Sequence, residues 1–143
     1  MIIETAVIKP DQFYIKNGRI LLDNREVGHF FFDGPVKNYD KSQLARDFQT
    51  QANFFTSWKL PAKFDYVFLS EWKLNANYRG RGFGGPILQS FFASFKRPTL
   101  IALQPGELTK QVKFESLVKF YKTQGMYVTR IDGDLFAFKW VTP

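Results

Sequence analysis

Cysteine is absent from this chain, and histidine occurs once, at His29. Without cysteine there is no disulfide framework and no thiol nucleophile, so nothing ties the chain to an oxidising compartment. One histidine and no cysteine also exclude a zinc centre of the usual Cys/His type. A Ser-His-Asp triad would have to use His29. That residue lies in the strand-like run VGHFFF and reads as a packed or surface side chain. No run of about 18 apolar residues is present, which removes a transmembrane helix. The stretch MIIETAVIKPDQF lacks the basic opening and small-residue cleavage site of a secretory signal. The expectation is a cytoplasmic protein with no membrane partner. Internal repeats and low-complexity linkers are missing too.

What is present points to a packed domain. Hydrophobic residues make up 45% of the chain, enough for a core. Aromatics reach 18%, with 17 Phe spread along the whole length, which argues against disorder. A length of 143 residues predicts a single domain over 1–143. Lys and Arg number 20 against 13 Asp and Glu, a net charge of +7. Such an excess suits an anionic partner, either a phosphorylated cofactor or nucleic acid, and does not choose between them.

The first third reads as a β meander. FYIK and RILL flank Asn17-Gly18, a pair suited to a two-residue turn with positive φ. A second turn at Asp23-Asn24 leads into REVGHFFF, and Gly34-Pro35 is expected to end that strand. Residues 40–58 change period: Asp40 and Gln43 resemble a capping box, and Leu44, Phe48 and Phe55 recur at helical spacing. Residues 65–75, DYVFLSEWKLN, form the next strand. PILQSFFASF is helical, with Pro86 in the first turn, where its missing N–H costs nothing. TLIALQ is a buried strand. A helix over Thr109–Gln124 is capped by Gly125, and MYVTRI-DG-DLFAFKWV closes the chain as a hairpin. The predicted class is α/β (α+β): a mixed, mostly antiparallel sheet flanked by helices, in the order β-β-β-α-β-α-β-α-β-β.

The most informative stretch is NYRGRGFGGPIL, Asn77 to Leu88. Four glycines fall within six residues, at Gly80, Gly82, Gly84 and Gly85, between a strand and a helix. A structural turn needs one or two, and each glycine costs roughly 0.5–1 kcal/mol of conformational entropy. Disordered Arg/Gly segments are repetitive, and this one occurs once. An anion cradle accounts for the excess: glycine lets backbone N–H groups converge, and the helix N-terminus adds partial positive charge. Arg79 and Arg81 bring formal charge to the same place. The loop is not a P-loop, having no Lys-Ser or Lys-Thr after the glycines. It matches Gly-x-Gly-x-x-Gly at Gly80, Gly82 and Gly85, but the meander before it does not suit a dinucleotide fold.

These residues resemble the GNAT superfamily of acyl-CoA N-acyltransferases. Its signature, Arg/Gln-x-x-Gly-x-Gly/Ala after a strand and opening a helix, is matched at Arg79, Gly82 and Gly84. A later Phe-Tyr-x-x-x-Gly-Phe motif is approximated by FYKTQGM, Phe120 to Met126. The resemblance covers residues 65–143. It implies that the fourth strand, ending near Trp72 to Leu74, splays from TLIALQ, and that acetyl-CoA lies in the gap as co-substrate. The implied cofactor-binding residues are Trp72, Leu74, Arg79, Gly80, Arg81, Gly82, Phe83, Gly84, Gly85 and Tyr121. The N–H groups of Arg81–Gly85 would hold the pyrophosphate. The Leu74 N–H would polarise the thioester carbonyl, and Tyr121 would protonate the departing thiolate.

Relatives often carry a catalytic glutamate where this chain has Phe68 or a near neighbour. Glu71 is then the nearest carboxylate for a base, with water or a backbone carbonyl as the other options. Phe114 replaces a common asparagine, which puts one pantetheine contact in doubt. One helix instead of two, and the short turn Ile131-Asp132-Gly133-Asp134, leave the acceptor side open, wide enough for an amine on a macromolecule. The reading is an N-acetyltransferase acting by direct attack of an amine in a ternary complex, with no metal. Two alternatives stand beside it: a degenerate domain that binds CoA or a partner without turnover, and a nucleic-acid-associated enzyme, such as one acting on aminoacyl-tRNA.

Overall fold

The computed structural model describes residues 8–50, 55, 58–105 and 114–143. Its regular elements follow the predicted order: β1 Phe13–Lys16, β2 Arg19–Leu22, β3 Arg25–Tyr39, α1 Lys41–Asp47, β4 Phe64–Leu74, α2 Gly84–Ala93, β5 Thr99–Leu103, α3 Phe114–Thr123, β6 Tyr127–Ile131 and β7 Asp134–Val141. The strands form one seven-stranded sheet ordered β1-β2-β3-β4-β5-β7-β6. Every pairing is antiparallel except β4 with β5. The parallel pair sits mid-sheet because α2 carries the chain back to start β5 beside β4.

Local chemistry sets the turns. Asn17-Gly18, Asp23-Asn24 and Asp132-Gly133 all have positive φ, the geometry that lets a two-residue turn follow strand twist. Asp40 caps α1: its Oδ1 accepts from the Gln43 N–H at 2.9 Å, and Gln43 Oε1 accepts from the Asp40 N–H at 3.2 Å. Gly125, at φ +82°, terminates α3, and the Met126 N–H closes on the Tyr121 carbonyl at 3.1 Å.

Two boundaries differ from the sequence reading. β3 does not stop at Gly34-Pro35 but runs on to Tyr39, because β4 offers a partner as far as Tyr39↔Phe64. The two residues are absorbed as an irregularity in register between Asp33 and Val36. The helix expected over 40–58 ends at Asp47. Gln49 turns to φ 52°, which no helix continues through. Residues 51–54, 56 and 57 of that expectation, and 109–113 of the one for α3, lie outside the described residues.

Helices cover both faces of the sheet. On one face α2 and α3 bury Ile87, Leu88, Phe91, Phe92, Leu117 and Tyr121 against Ile20, Phe30, Val67, Leu69 and Ile101. On the other, Leu44, Ala45, Phe48 and Phe55 pack on Tyr66, Leu100, Ala102 and Phe138. These two cores pack on β4 and β5 where the strands are paired, and beyond Leu69 β4 runs on beside β3 without β5.

Candidate active site

β4 has eleven residues and β5 five, so the pair cannot match along its length. The parallel ladder runs from Asp65↔Thr99 to Leu69↔Leu103 and stops. β4 continues through Ser70–Leu74, paired with β3 alone. A cleft of about 170 Å³ occupies the divergence, lined by Ser70, Glu71, Trp72, Leu103, Gln104 and Tyr121 among others.

A bulge shapes this end of β4. Phe31 pairs with Glu71 while Phe32 pairs with Leu69, so Ser70 is an extra residue. Its hydroxyl donates to the Phe31 carbonyl at 2.8 Å, fixing the bulge. The extra residue shifts the alternation. Val67 and Leu69 face the α2/α3 core before it, and Trp72 and Leu74 face the same core after it. The Asn75 N–H donates to Val27 of β3 at 2.7 Å. Alternation then turns the N–H groups of Trp72 and Leu74 away from β3, toward the divergence. Leu74 does not itself line the cleft; Trp72 does.

Tyr121 enters from α3. It is 3% exposed and belongs to the core, yet it borders the cleft. The Trp72 indole Nε1–H donates to its hydroxyl oxygen at 3.1 Å. With that lone pair occupied, the phenolic hydrogen is left to point elsewhere. Burial pushes the phenol up, partly offset by the indole hydrogen bond, so it holds its proton at neutral pH. Trp72 is itself clamped by a stacked Phe30 ring at 5.2 Å.

The glycine loop sits beyond the end of β4. Gly80 and Gly82 take φ +70° and +81°, which a side chain would strain. Gly84 and Gly85 have no such φ and open α2. A Cβ on Gly84 would meet only ordinary contacts, at 3.7 Å from Phe120 and Trp72; one on Gly85 would meet the flexible end of Gln124. Nothing in the described residues therefore requires Gly84 to lack a side chain. Among the described residues no turn or cap hydrogen bond uses the N–H groups of Arg81–Gly85, and no side chain caps the helix. The two arginines are partly committed within the chain. Arg79 Nε donates to the Leu74 carbonyl at 2.6 Å, tying the loop to β4. Arg81 donates to the Asn77 carbonyl at 3.3 Å and lies over the Phe83 ring.

Glu71 faces the opposite side of the sheet from Tyr121 but still borders the cleft. Its Oε2 lies 3.4 Å from His29 Nε2 on β3. The His29 ring is stacked on Phe31 at 4.1 Å, and Phe31 is 55% exposed. Sequence reading set His29 aside. Its partner is 42 positions away, and only the β3/β4 register brings the two together. No group of acidic and histidine side chains able to hold a metal occurs among the described residues, and no described helix is long and apolar enough to cross a membrane.

No protein-family model matches the chain, and no curated protein matches it. Two solved structures are similar in fold. One is an agmatine N-acetyltransferase variant in its apo form, at 10% identity and a TM-score of 0.48, covering 85% of this chain and 74% of that one. The other is an N-acetyltransferase from Staphylococcus aureus Mu50, at 14% identity and a TM-score of 0.42, covering 86% and 68%. Likenesses of this size carry no conclusion about substrate or mechanism.

Proposed function

We propose that the chain is an N-acetyltransferase that moves the acetyl group of acetyl-CoA to an amine bound beside it. The observation that carries this reading is the divergence of β4 from β5. It exposes strand N–H groups, it is bordered by the buried Tyr121 hydroxyl, and it lies next to a glycine loop whose Arg81–Gly85 N–H groups enter no turn or cap hydrogen bond among the described residues. The loop and the first turn of α2 would hold the pyrophosphate, and the open edge of β4 would pair with the pantetheine arm. The Trp72 and Leu74 N–H groups are the candidates to stabilise the thioester oxygen as charge develops there.

Chemistry then follows from the groups present. The amine nitrogen attacks the carbonyl carbon, an N–C bond forms and the C–S bond breaks. The attacking nitrogen sheds a proton as it becomes the amide, and the departing thiolate gains one from solvent, leaving as the thiol. A thiol has a pKa near 8.5, below that of a buried phenol, so full proton transfer from Tyr121 is uphill. Tyr121 acts chiefly by donating a hydrogen bond to the sulfur as negative charge grows. The amine must first lose a proton, since its own pKa is about 10.4. Glu71 at the cleft takes it and His29 behind passes it to solvent. Holding both substrates together supplies the rest of the rate.

The test is thermal unfolding with and without acetyl-CoA, followed by thiol release with an amine panel. Acetyl-CoA at a hundred times its dissociation constant should stabilise by about 2.7 kcal/mol. Absence of any shift would remove the acetyl-CoA reading. Tyr121→Phe should retain binding and lose roughly 100-fold in turnover. Binding without turnover of any amine would leave a CoA-binding module instead.

A further inference from the structure

On the α1 side of the sheet the cleft adjoins a larger cavity of about 480 Å³, with Gln104 bordering both. Its charged lining residues are Asp47, at the end of α1, and Asp132 and Asp134, at the β6–β7 turn. Among the described residues no Lys or Arg lines it, in a chain of net charge +7. Two other cavities of similar size carry cations: Lys37, Lys96 and Arg97 line one, where Asp65 is paired with Arg97 at 3.1 Å, and Lys139 lines the other. Of these three cavities, this one alone gathers carboxylates without a described cation among them. The three carboxylates do not make a metal-ligating group, so their negative charge is spread along a wall instead of focused on a point.

Tyr66 supplies a second, independent sign. It is 7% exposed and lines the same cavity, and its hydroxyl has no hydrogen-bond partner among the described residues. Buried hydroxyls are normally paired. No buried side-chain polar atom in the described chain is both sealed and unpaired, so this oxygen opens onto the cavity. Burial and then the Asp47 charge push the phenol up, which puts that carboxylate within electrostatic reach. Burial also raises the Asp47 carboxyl, with no described cation acting against it. Between these polar groups the walls are aromatic, from Phe48, Phe68 and Phe136.

We propose that this cavity holds the far positive charge of the acceptor, and that the substrate class is a linear amine with at least two cationic nitrogens. The inference rests on the acetyltransferase reading and specifies its second substrate. The reacting nitrogen lies at the cleft, the alkyl chain runs over the aromatic wall, and the distal ammonium donates to the aspartates and to the Tyr66 oxygen. Tyr66 stands four strand residues from Ser70, about 13 Å along β4, so a long diamine fits the span and a short one does not.

Thiol release from acetyl-CoA is measured with diaminooctane and with octylamine, which differ only in the distal charge. The expected kcat/KM favours the diamine by at least roughly tenfold, the effect of one charge-assisted contact. That ratio should fall to about one in Asp132→Asn/Asp134→Asn, and part of the way in Tyr66→Phe. Equal use of the two amines by the wild type would overturn the inference and leave the acetyltransferase reading standing. If no amine is turned over, calorimetric titration of each amine decides. Diaminooctane bound more tightly than octylamine, with the preference lost in the double variant, supports the cavity; equal binding overturns it. A lysine-containing peptide used in preference to every free diamine would overturn the small-amine class.

Discussion

At the scale of single residues, the glycine loop separates what folding requires from what a ligand requires. Gly82, at φ +81°, is needed by the backbone, so Gly82→Ala should destabilise by roughly 1–2 kcal/mol. Gly84 is not. Gly84→Ala should leave the fold intact and stabilise it by about 0.4–1 kcal/mol through the unfolded chain. The same methyl group, 3.7 Å from the Phe120 and Trp72 rings, would take up space at the first turn of α2 where the pyrophosphate is proposed to sit, and acetyl-CoA affinity should fall at least about tenfold. Thermal unfolding and calorimetry on the one variant read both effects; unchanged affinity would mean that Gly84 does not face a phosphate. Trp72 is the matching case in the cleft. Trp72→Phe keeps an aromatic ring against Phe30 but removes the N–H given to Tyr121. That hydrogen bond holds the phenol down against burial, so its loss should raise the Tyr121 pKa further and slow turnover. Ultraviolet titration of the variant checks the direction, and a lower pKa would contradict the assigned donor.

At the scale of elements, α1 is the shortest of the described α-helices, and its start depends on Asp40. The Asp40 carboxyl is held below its ordinary value of 3.8, first by the Gln43 N–H and then by Lys63 at 3.1 Å. A depressed carboxyl stabilises the fold above its unfolded pKa and loses that effect as pH falls through the folded value. Asp40→Ala should therefore unfold at a lower temperature than the wild type at neutral pH, and the two curves should converge near pH 2. A gap that persists in acid would assign the effect to something other than the charged cap. The cap was legible in the sequence, as were the Asn17-Gly18 and Asp132-Gly133 turns, because each depends on neighbours in the chain. Features that depend on pairing were not. Ser70 becomes a bulge only against Phe31 and Phe32, and β3 passes Gly34-Pro35 only because β4 is there to receive it. The 40–58 helix was overread because Phe55 keeps the apolar period after the backbone has left it at Phe48–Gln49. The glycine loop and Tyr121 were visible as residues of a motif. The acidic cavity was not, since Asp47, Tyr66 and Asp132 come from three separate elements.

For the molecule as a whole, the two cores on either side of the sheet each contain a buried phenol near the proposed substrates, Tyr121 on the α2/α3 side and Tyr66 on the α1 side. Burial is the leading cause of a raised pKa in both. The consequence is a common alkaline limit to stability. An unfolded phenol ionises near pH 10, while both folded phenols keep their protons above that pH. From pH 10 upward the unfolded chain binds fewer protons than the folded one, and stability must fall with rising pH. Each such phenol contributes about 1.4 kcal/mol per pH unit to that slope until its folded pKa is reached. Tyr66→Phe keeps the ring that stacks on Tyr39 at 4.6 Å and removes only the hydroxyl. Its denaturant-unfolding free energy, followed from pH 9 to 11, should therefore decline less steeply than that of the wild type, by about one proton's worth of slope. The same variant loses the oxygen proposed to receive the distal ammonium, so one protein tests both assignments of Tyr66. An unchanged alkaline slope would mean that the phenol ionises freely in the fold. It would then be open to bulk water and not to an enclosed cavity fit to select a dication.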